Sequence, residues 1–231
     1  MNFKKNNLII VLTLAIVIAG LLYWGGGLFV SERKNIYYEK YINLYTLDFS
    51  QADDLSKERQ EQYLEELEVW KDLLKKGEKG DLVKSFIGLA FLKERTSAYK
   101  MAEQALMLAG EVDPDNAVSF GNLANLYYFF MKDYPKAEQA YLKAIDNYPF
   151  KIDYYRDLSG LYQYHYNDLK KSEEILIRCV KNNPKDADAF KIITSFYVDQ
   201  KDKEKAVWYY NQLKDISPES AALFEEKVNS L

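Results

Sequence analysis

His165 and Cys179 are the single imidazole and the single thiol of the chain, the residue types of a nucleophile and its general base. One of each cannot build a disulfide framework, a Cys/His zinc site or a His-ligated metal centre within one chain. The carboxylate pairs Asp53/Asp54, Glu65/Glu66 and Glu173/Glu174 are the types used for general acid and base work, but neighbouring residues on a helix do not face each other. Solvated helix faces account for them. No phosphate-cradling Gly-rich loop, G-x-S-x-G, H-E-x-x-H or EF-hand loop occurs in the sequence, and no Asn-x-Ser/Thr acceptor. The expectation is a protein that is not an enzyme, with no catalytic residue, no cofactor and no metal.

The elements around these residues are helical by composition. The 231 residues are 48% hydrophobic and 29% charged, enough for a core and too apolar for a disordered chain. Twenty Tyr against only 10 Gly and 5 Pro disfavours a turn-rich all-β fold. Basic residues number 31 and acidic residues 35, a net charge of -4, so the clustered positive charge that counterion release requires is missing and nucleic acid is not an expected partner.

Residues 8–30 form a run without a single charge, in which Leu8 to Trp24 contains Thr13 as its one polar side chain. At about 1.5 Å per residue such a helix covers roughly 34 Å, against roughly 30 Å of bilayer hydrocarbon. A transmembrane anchor is expected, with Tyr23 and Trp24 in the interfacial belt. The alternative is a cleaved signal peptide with Lys4 and Lys5 as its charged start and Gly25 and Gly27 near the cut, but the apolar run exceeds the usual length. Lys4 and Lys5 sit in a short acid-free tail, whereas Arg33 and Lys34 are accompanied by Glu32 and Glu39; this places the N-terminus inside and the body outside the cytoplasm, in the periplasm or extracellular space.

Beyond the anchor, residues 31–50 carry Ile36, Tyr37, Tyr41, Leu44, Tyr45 and Phe49 at helical spacing, a juxtamembrane stalk. The segment 51–80 predicts a surface helix with Leu64, Leu67, Trp70 and Leu74 on its buried face, stopped at Gly77 and Gly80. From there the chain repeats. Pro114, Pro149, Pro184 and Pro218 are spaced by 35, 35 and 34 residues. Ala102, Ala137, Ser172 and Ala206 form a small column, followed seven residues on by Ala109, Ala144, Cys179 and Leu213. Phe86, Phe120, Tyr155 and Phe190 form an aromatic column, with Leu89, Leu123, Leu158 and Ile193 three residues later. Four units of two helices result, about 83–116, 117–151, 152–186 and 187–220, with a polar capping helix over 221–231. Asn116 and Asp186 are expected helix caps, and Pro135 suits a first helical turn.

These columns, and DYPKAEQAYLKAIDNYP from Asp133 to Pro149 above all, resemble the tetratricopeptide repeat (TPR) family. The Gly usual in the turn between the two helices is absent from every unit, and the second and third units carry one extra residue near it, so looser turns are expected. The resemblance implies an all-α chain in which the N-terminal transmembrane helix (8–30, after a tail over 1–7) precedes an α-solenoid over 81–231. It also separates the candidate dyad, because His165 then ends a first helix while Cys179 lies in the antiparallel second helix, a gap of order 10 Å or more. First helices of such a stack line a concave groove. The columns implied to face it are Ile87, Gly121, Arg156, Lys191; Phe91, Asn125, Gly160, Ser195; Glu94, Tyr128, Gln163, Val198; and Arg95, Phe129, Tyr164, Asp199.

Within those columns Asn125, Tyr128, Arg156, Tyr164 and Lys191 are the candidate binding residues, with Arg156 and Lys191 one repeat apart and placed to meet an acidic segment. The equal alternative for the aromatics is that they fill gaps between repeats. The functional expectation is a membrane-anchored scaffold that binds a protein or peptide partner and assists secretion or envelope assembly. The alternatives are a cytosol-facing adaptor for import or complex assembly and a non-catalytic accessory subunit of a membrane enzyme.

Overall fold

Helix caps explain where most elements begin. In the computed structural model, which describes residues 42–50, 52 and 55–231, side-chain oxygens of Ser56, Asn116, Asp133, Asp168, Asp186, Asp202 and Ser217 each accept a backbone N–H from the first turn of the helix that follows. Each cap satisfies a donor that the helix itself leaves unpaired. Eleven α-helices and no strand are present among the described residues. The apolar run 8–30 and most of 31–50 lie outside them, and no described helix is long and apolar enough to cross a membrane.

The chain divides between Ala98 and Tyr99 into two compact units, a boundary that falls inside the expected repeat 83–116. In the first unit a 3-10 turn, Ile42–Tyr45, is followed by α1 (Lys57–Lys76) and α2 (Lys79–Arg95), which pack as a hairpin around Gly77, whose φ is 70°. The buried stripe of α1 is Tyr63, Leu67 and Leu74 with Trp70 half-buried, and Leu64 is exposed, contrary to the sequence expectation. Positions 63, 67, 70 and 74 keep steps of four, three and four, and Tyr63 adds an aromatic face to the Arg95 guanidinium at 5.4 Å. Leu44 and Tyr45 are buried, and Lys93 of α2, itself buried, donates to the Thr46 carbonyl.

The second unit begins with α3 (Tyr99–Val112) and continues through three helix pairs. These are α4 (Ala117–Asn125, prolonged by a π-turn over Leu126–Met131) with α5 (Tyr134–Asn147), α6 (Ile152–Tyr164) with α7 (Leu169–Asn182), and α8 (Ala187–Asp199) with α9 (Lys203–Ile216). Each helix packs on the next in sequence. The small column Ala137, Ser172 and Ala206 is fully buried, as are Ala144, Cys179 and Leu213. Close helix approach requires small side chains there. Two short helices, α10 (Pro218–Ala222) and α11 (Glu225–Asn229), stand where one capping helix was expected. Phe224 N–H bonds back three residues to the Ala221 carbonyl, which tightens the turn and breaks the helix in two.

The turns inside the pairs are not loose. Ser97, Lys132, Asn167 and Lys201 occupy the left-handed region with φ of 59°, 56°, 51° and 56°, at the position where the missing Gly would stand. The extra residue of the middle units is absorbed by widening the end of the first helix. Asp133 and Asp168 N–H reach back six residues to the Tyr127 and Tyr162 carbonyls, whereas Asp202 reaches back five to Tyr197. A left-handed L-residue costs about 1–2 kcal/mol that Gly avoids, less the greater entropy Gly brings to the unfolded chain. Lys132→Gly is therefore expected to stabilise the protein by about 1 kcal/mol in urea denaturation. Equal or lower stability would mean that the Lys132 side chain holds the turn.

Candidate functional site

A polar ladder holds successive repeats of the second unit in register. Glu103 of α3 accepts the Tyr127 hydroxyl at 2.7 Å and the Lys136 ammonium at 3.0 Å, while Lys136 lies 5.0 Å from the Tyr127 ring centre. The set recurs as Glu138 with Tyr162 (2.8 Å) and Lys171 (3.3 Å), and as Glu173 with Tyr197 and Lys205 (both 2.7 Å). Hydrogen bonds from Lys205 and Tyr197 pull the Glu173 carboxyl below its ordinary range. At Glu103 burial pushes the other way, and the bonds from Tyr127, Lys136 and Lys100 outweigh it. Hydrogen bonds to a charged acceptor are worth about 1.5–3 kcal/mol, so Glu138→Ala is expected to lower stability by about that amount in chemical denaturation. A loss under about 0.5 kcal/mol, the level of an exposed ion pair alone, would show that the Tyr162 bond adds nothing.

On this frame the candidate residues separate into two groups. Asn125 is half-buried and its Oδ1 accepts the Tyr141 hydroxyl at 2.7 Å. Tyr128 is half-buried in an aromatic cluster, edge-on to His165 at 5.2 Å and to Tyr134 at 6.1 Å, and His165 stacks on Tyr134 at 4.1 Å. Burial raises the Tyr128 hydroxyl above its usual value. Asn125 thus joins α4 to α5, and Tyr128 joins the π-turn to α5 and to the end of α6. Gly121, in the same groove columns, lies under the ring of Tyr154, where a Cβ would meet Cε1 at 2.3 Å. The Tyr154 hydroxyl bonds to the Ala117 carbonyl at 3.2 Å.

Arg156 and Tyr164 come together at a cleft of about 230 Å³ between α6 and α8, which Gly160, Gln163, Ser195, Phe196 and Asp199 also line. Tyr164 is 75% exposed on its rim. A pocket for a drug-sized ligand runs to about 300–1,000 Å³, so this one fits a side chain rather than a whole cofactor. Below the cleft, Ser159 and Ser172 share a hydrogen bond of 2.8 Å, and Gln163 donates to Ser159 at 3.0 Å. Lys191 does not line the cleft; its ammonium pairs with Asp188 on its own helix. Arg156 is likewise engaged, with Asp153 at 2.8 Å and Asp157 at 3.0 Å. Burial raises the Asp157 carboxyl against the pull of Arg156.

Sequence reasoning placed Asp199 and Ser195 in groove columns without singling them out. The spacing Asp153–Arg156 and Asp188–Lys191, three residues on one helix, was the signal that each base already has a partner. The thiol and the imidazole take unrelated places. Cys179 is fully buried and its thiol is pushed up to about 12, first by burial and then by the charge of Asp186, while His165 is exposed beside Tyr134.

Residues 117–150, the α4–α5 pair, match the family model of the tetratricopeptide repeat. A crystal structure of MamA superposes with a TM-score of 0.50 at 18% identity, over 66% of this chain and 87% of that one. The fold is a tetratricopeptide-type solenoid. A tetratricopeptide repeat protein from Parabacteroides merdae superposes at 0.49 with 16% identity, over 72% of this chain and 71% of that one. PilF of Pseudomonas aeruginosa superposes at 0.48 with 17% identity, over 75% of this chain and 90% of that one. No curated protein matches the chain. In solenoid terms, the cleft lies between the first helices of the third and fourth repeats, and the ladder joins second helices to the repeat that follows.

Proposed function

We propose that this chain is a non-catalytic interaction scaffold that holds a protein or peptide partner on the first-helix face of its solenoid, at the α6–α8 cleft. The observation that carries this reading is the exposed Tyr164 ring at the rim of a side-chain-sized cleft, on helices whose spacing the Glu–Tyr–Lys ladder holds. Large aromatics at the rim of a rigid cleft are the usual anchors of protein recognition. The reading extends to a membrane tether: the uncharged run 8–30, preceded by Lys4 and Lys5, would hold the solenoid outside the cytoplasm, where it would assist secretion or envelope assembly.

A photo-crosslinking residue in place of Tyr164, compared with one in place of Ile177, an exposed residue of the second helix α7, tests the face. Crosslinks to a partner from position 164 and none from 177 support it; crosslinks from 177 alone overturn it. Protease treatment of sealed membranes from either side tests the tether. Digestion of the solenoid from the cytoplasmic side alone would reverse the orientation, and release of the full chain by alkaline carbonate would remove the anchor.

A further inference from the structure

We infer that the α6–α8 cleft takes a cationic segment, with one bulky apolar side chain seated against Tyr164, Phe196 and the open floor at Gly160, and a Lys or Arg beside it paired to Asp199. This rests on the cleft being the binding face.

The sequence pointed to the opposite charge, because Arg156 and Lys191 stand one repeat apart. In the structure each is answered on its own helix, Arg156 by two carboxylates and Lys191 by one. Asp199 is exposed on the cleft wall and has no cation in ion-pair range among the described residues. An acidic ligand would have to share Arg156 with Asp153 and Asp157 and approach Asp199, so like charge opposes it. A cationic ligand meets Asp199 with nothing to displace. Charge complementarity of this kind selects partners more strongly than it adds affinity. The apolar half of the requirement comes from the walls. Leu176, Ile192 and Phe196 line the cleft with the Tyr164 ring, and a Cβ built on Gly160 meets nothing nearer than Tyr164 Cδ2 at 3.8 Å. A side chain at Gly160 would therefore start in ordinary contact with the Tyr164 ring and without a clash, and its absence leaves room in the cleft.

That last fact supplies a variant that can block the cleft without harming the helix. Gly within a helix is worth about 1 kcal/mol less than a good helix former, so Gly160→Leu fills the cleft while the melting temperature holds or rises. The full chain is titrated by fluorescence anisotropy with three capped peptides that share the same Leu and Phe residues and carry Lys, Gln or Glu between them. The Lys peptide is expected to bind about tenfold or more tighter than the Glu peptide, Asp199→Asn to weaken it about tenfold, and Asp199→Lys to reverse the order. Gly160→Leu is expected to abolish binding of all three. If the Gln or Glu peptide binds as tightly as the Lys peptide and Gly160→Leu abolishes that binding, the cationic preference is wrong and the cleft remains the binding face. If no peptide binds, or Gly160→Leu changes nothing, the cleft falls as a site and the cationic preference with it.

Discussion

Replacement of Tyr141 by Ala is expected to cost about 3–5 kcal/mol, the range for removing a fully buried aromatic. Tyr141 lies in α5 with no exposed surface, and its hydroxyl is the donor to Asn125 Oδ1. At roughly 2–4 °C per kcal/mol for a chain of this size, the melting temperature should fall by roughly 6–20 °C. Tyr141→Phe keeps the ring and removes only the hydroxyl, leaving Asn125 without that donor, so about 1 kcal/mol is expected. The pair also decides how Asn125 should be read. If Asn125→Ala lowers the melting temperature by about as much as Tyr141→Phe and leaves partner capture unchanged, Asn125 belongs to the stack rather than to the binding face. A Tyr141→Ala protein that melts within a degree or two of wild type would mean that the repeat register is wrong.

Stability is expected to rise between pH 8 and about 9, against the usual trend, and the cause is one lysine. Burial pushes the Lys93 ammonium down from 10.5 to about 8, partly opposed by the charge of Asp48. In that window the folded chain has released the proton and the unfolded chain still holds it. The unfolded state then binds more protons, so stability increases with pH. Below pH 8 the ammonium stays charged in the core, and the shift corresponds to at most about 3 kcal/mol of destabilisation there. The window closes near 9, where the Cys179 thiol of the unfolded chain ionises while burial holds the folded thiol up to about 12, and from about 10 the tyrosines of the unfolded chain follow. Tyr127, Tyr162 and Tyr197, held up by burial and by their carboxylate partners, then favour unfolding as pH rises. Lys93→Met removes the buried charge at similar length and loses the bond to the Thr46 carbonyl. Relative to wild type its stability is expected to fall by about 2–3 kcal/mol between pH 7 and 10, because it lacks the proton release of Lys93. Urea denaturation of both proteins at pH 7, 8, 9 and 10 measures this difference. A constant offset across that range would show that the ammonium is not desolvated in the folded state.

These expectations divide according to what a linear chain can reveal. The proline spacing, the small column through Ala137, Ser172 and Ala206 and the aromatic column were enough to predict an all-α repeat stack. Burial is a periodic constraint, and a stack repeats it at the same position of every unit. The caps Asn116 and Asp186 were legible for a related reason, since a cap acts within three residues of itself. The positive-φ residues at the turns were not. Ser97, Lys132, Asn167 and Lys201 have no side-chain type common to all four, and sequence spacing alone does not mark the left-handed conformation.

The binding face shows the limit most clearly. Helical periodicity can say which columns point toward a groove, but not which members are consumed by their neighbours. Asn125 is taken by Tyr141 sixteen residues away, and Gly121 is covered by a ring from the next repeat. The ladder has the same origin: Glu138 meets Tyr162 and Lys171 at separations of 24 and 33 residues. The sequence by itself determined the repeat and its buried columns, because those follow from local period and from hydrophobicity. Only the tertiary structure decided which polar side chains remain available, because a hydrogen bond or ion pair depends on a few ångströms between repeats that residue order does not encode.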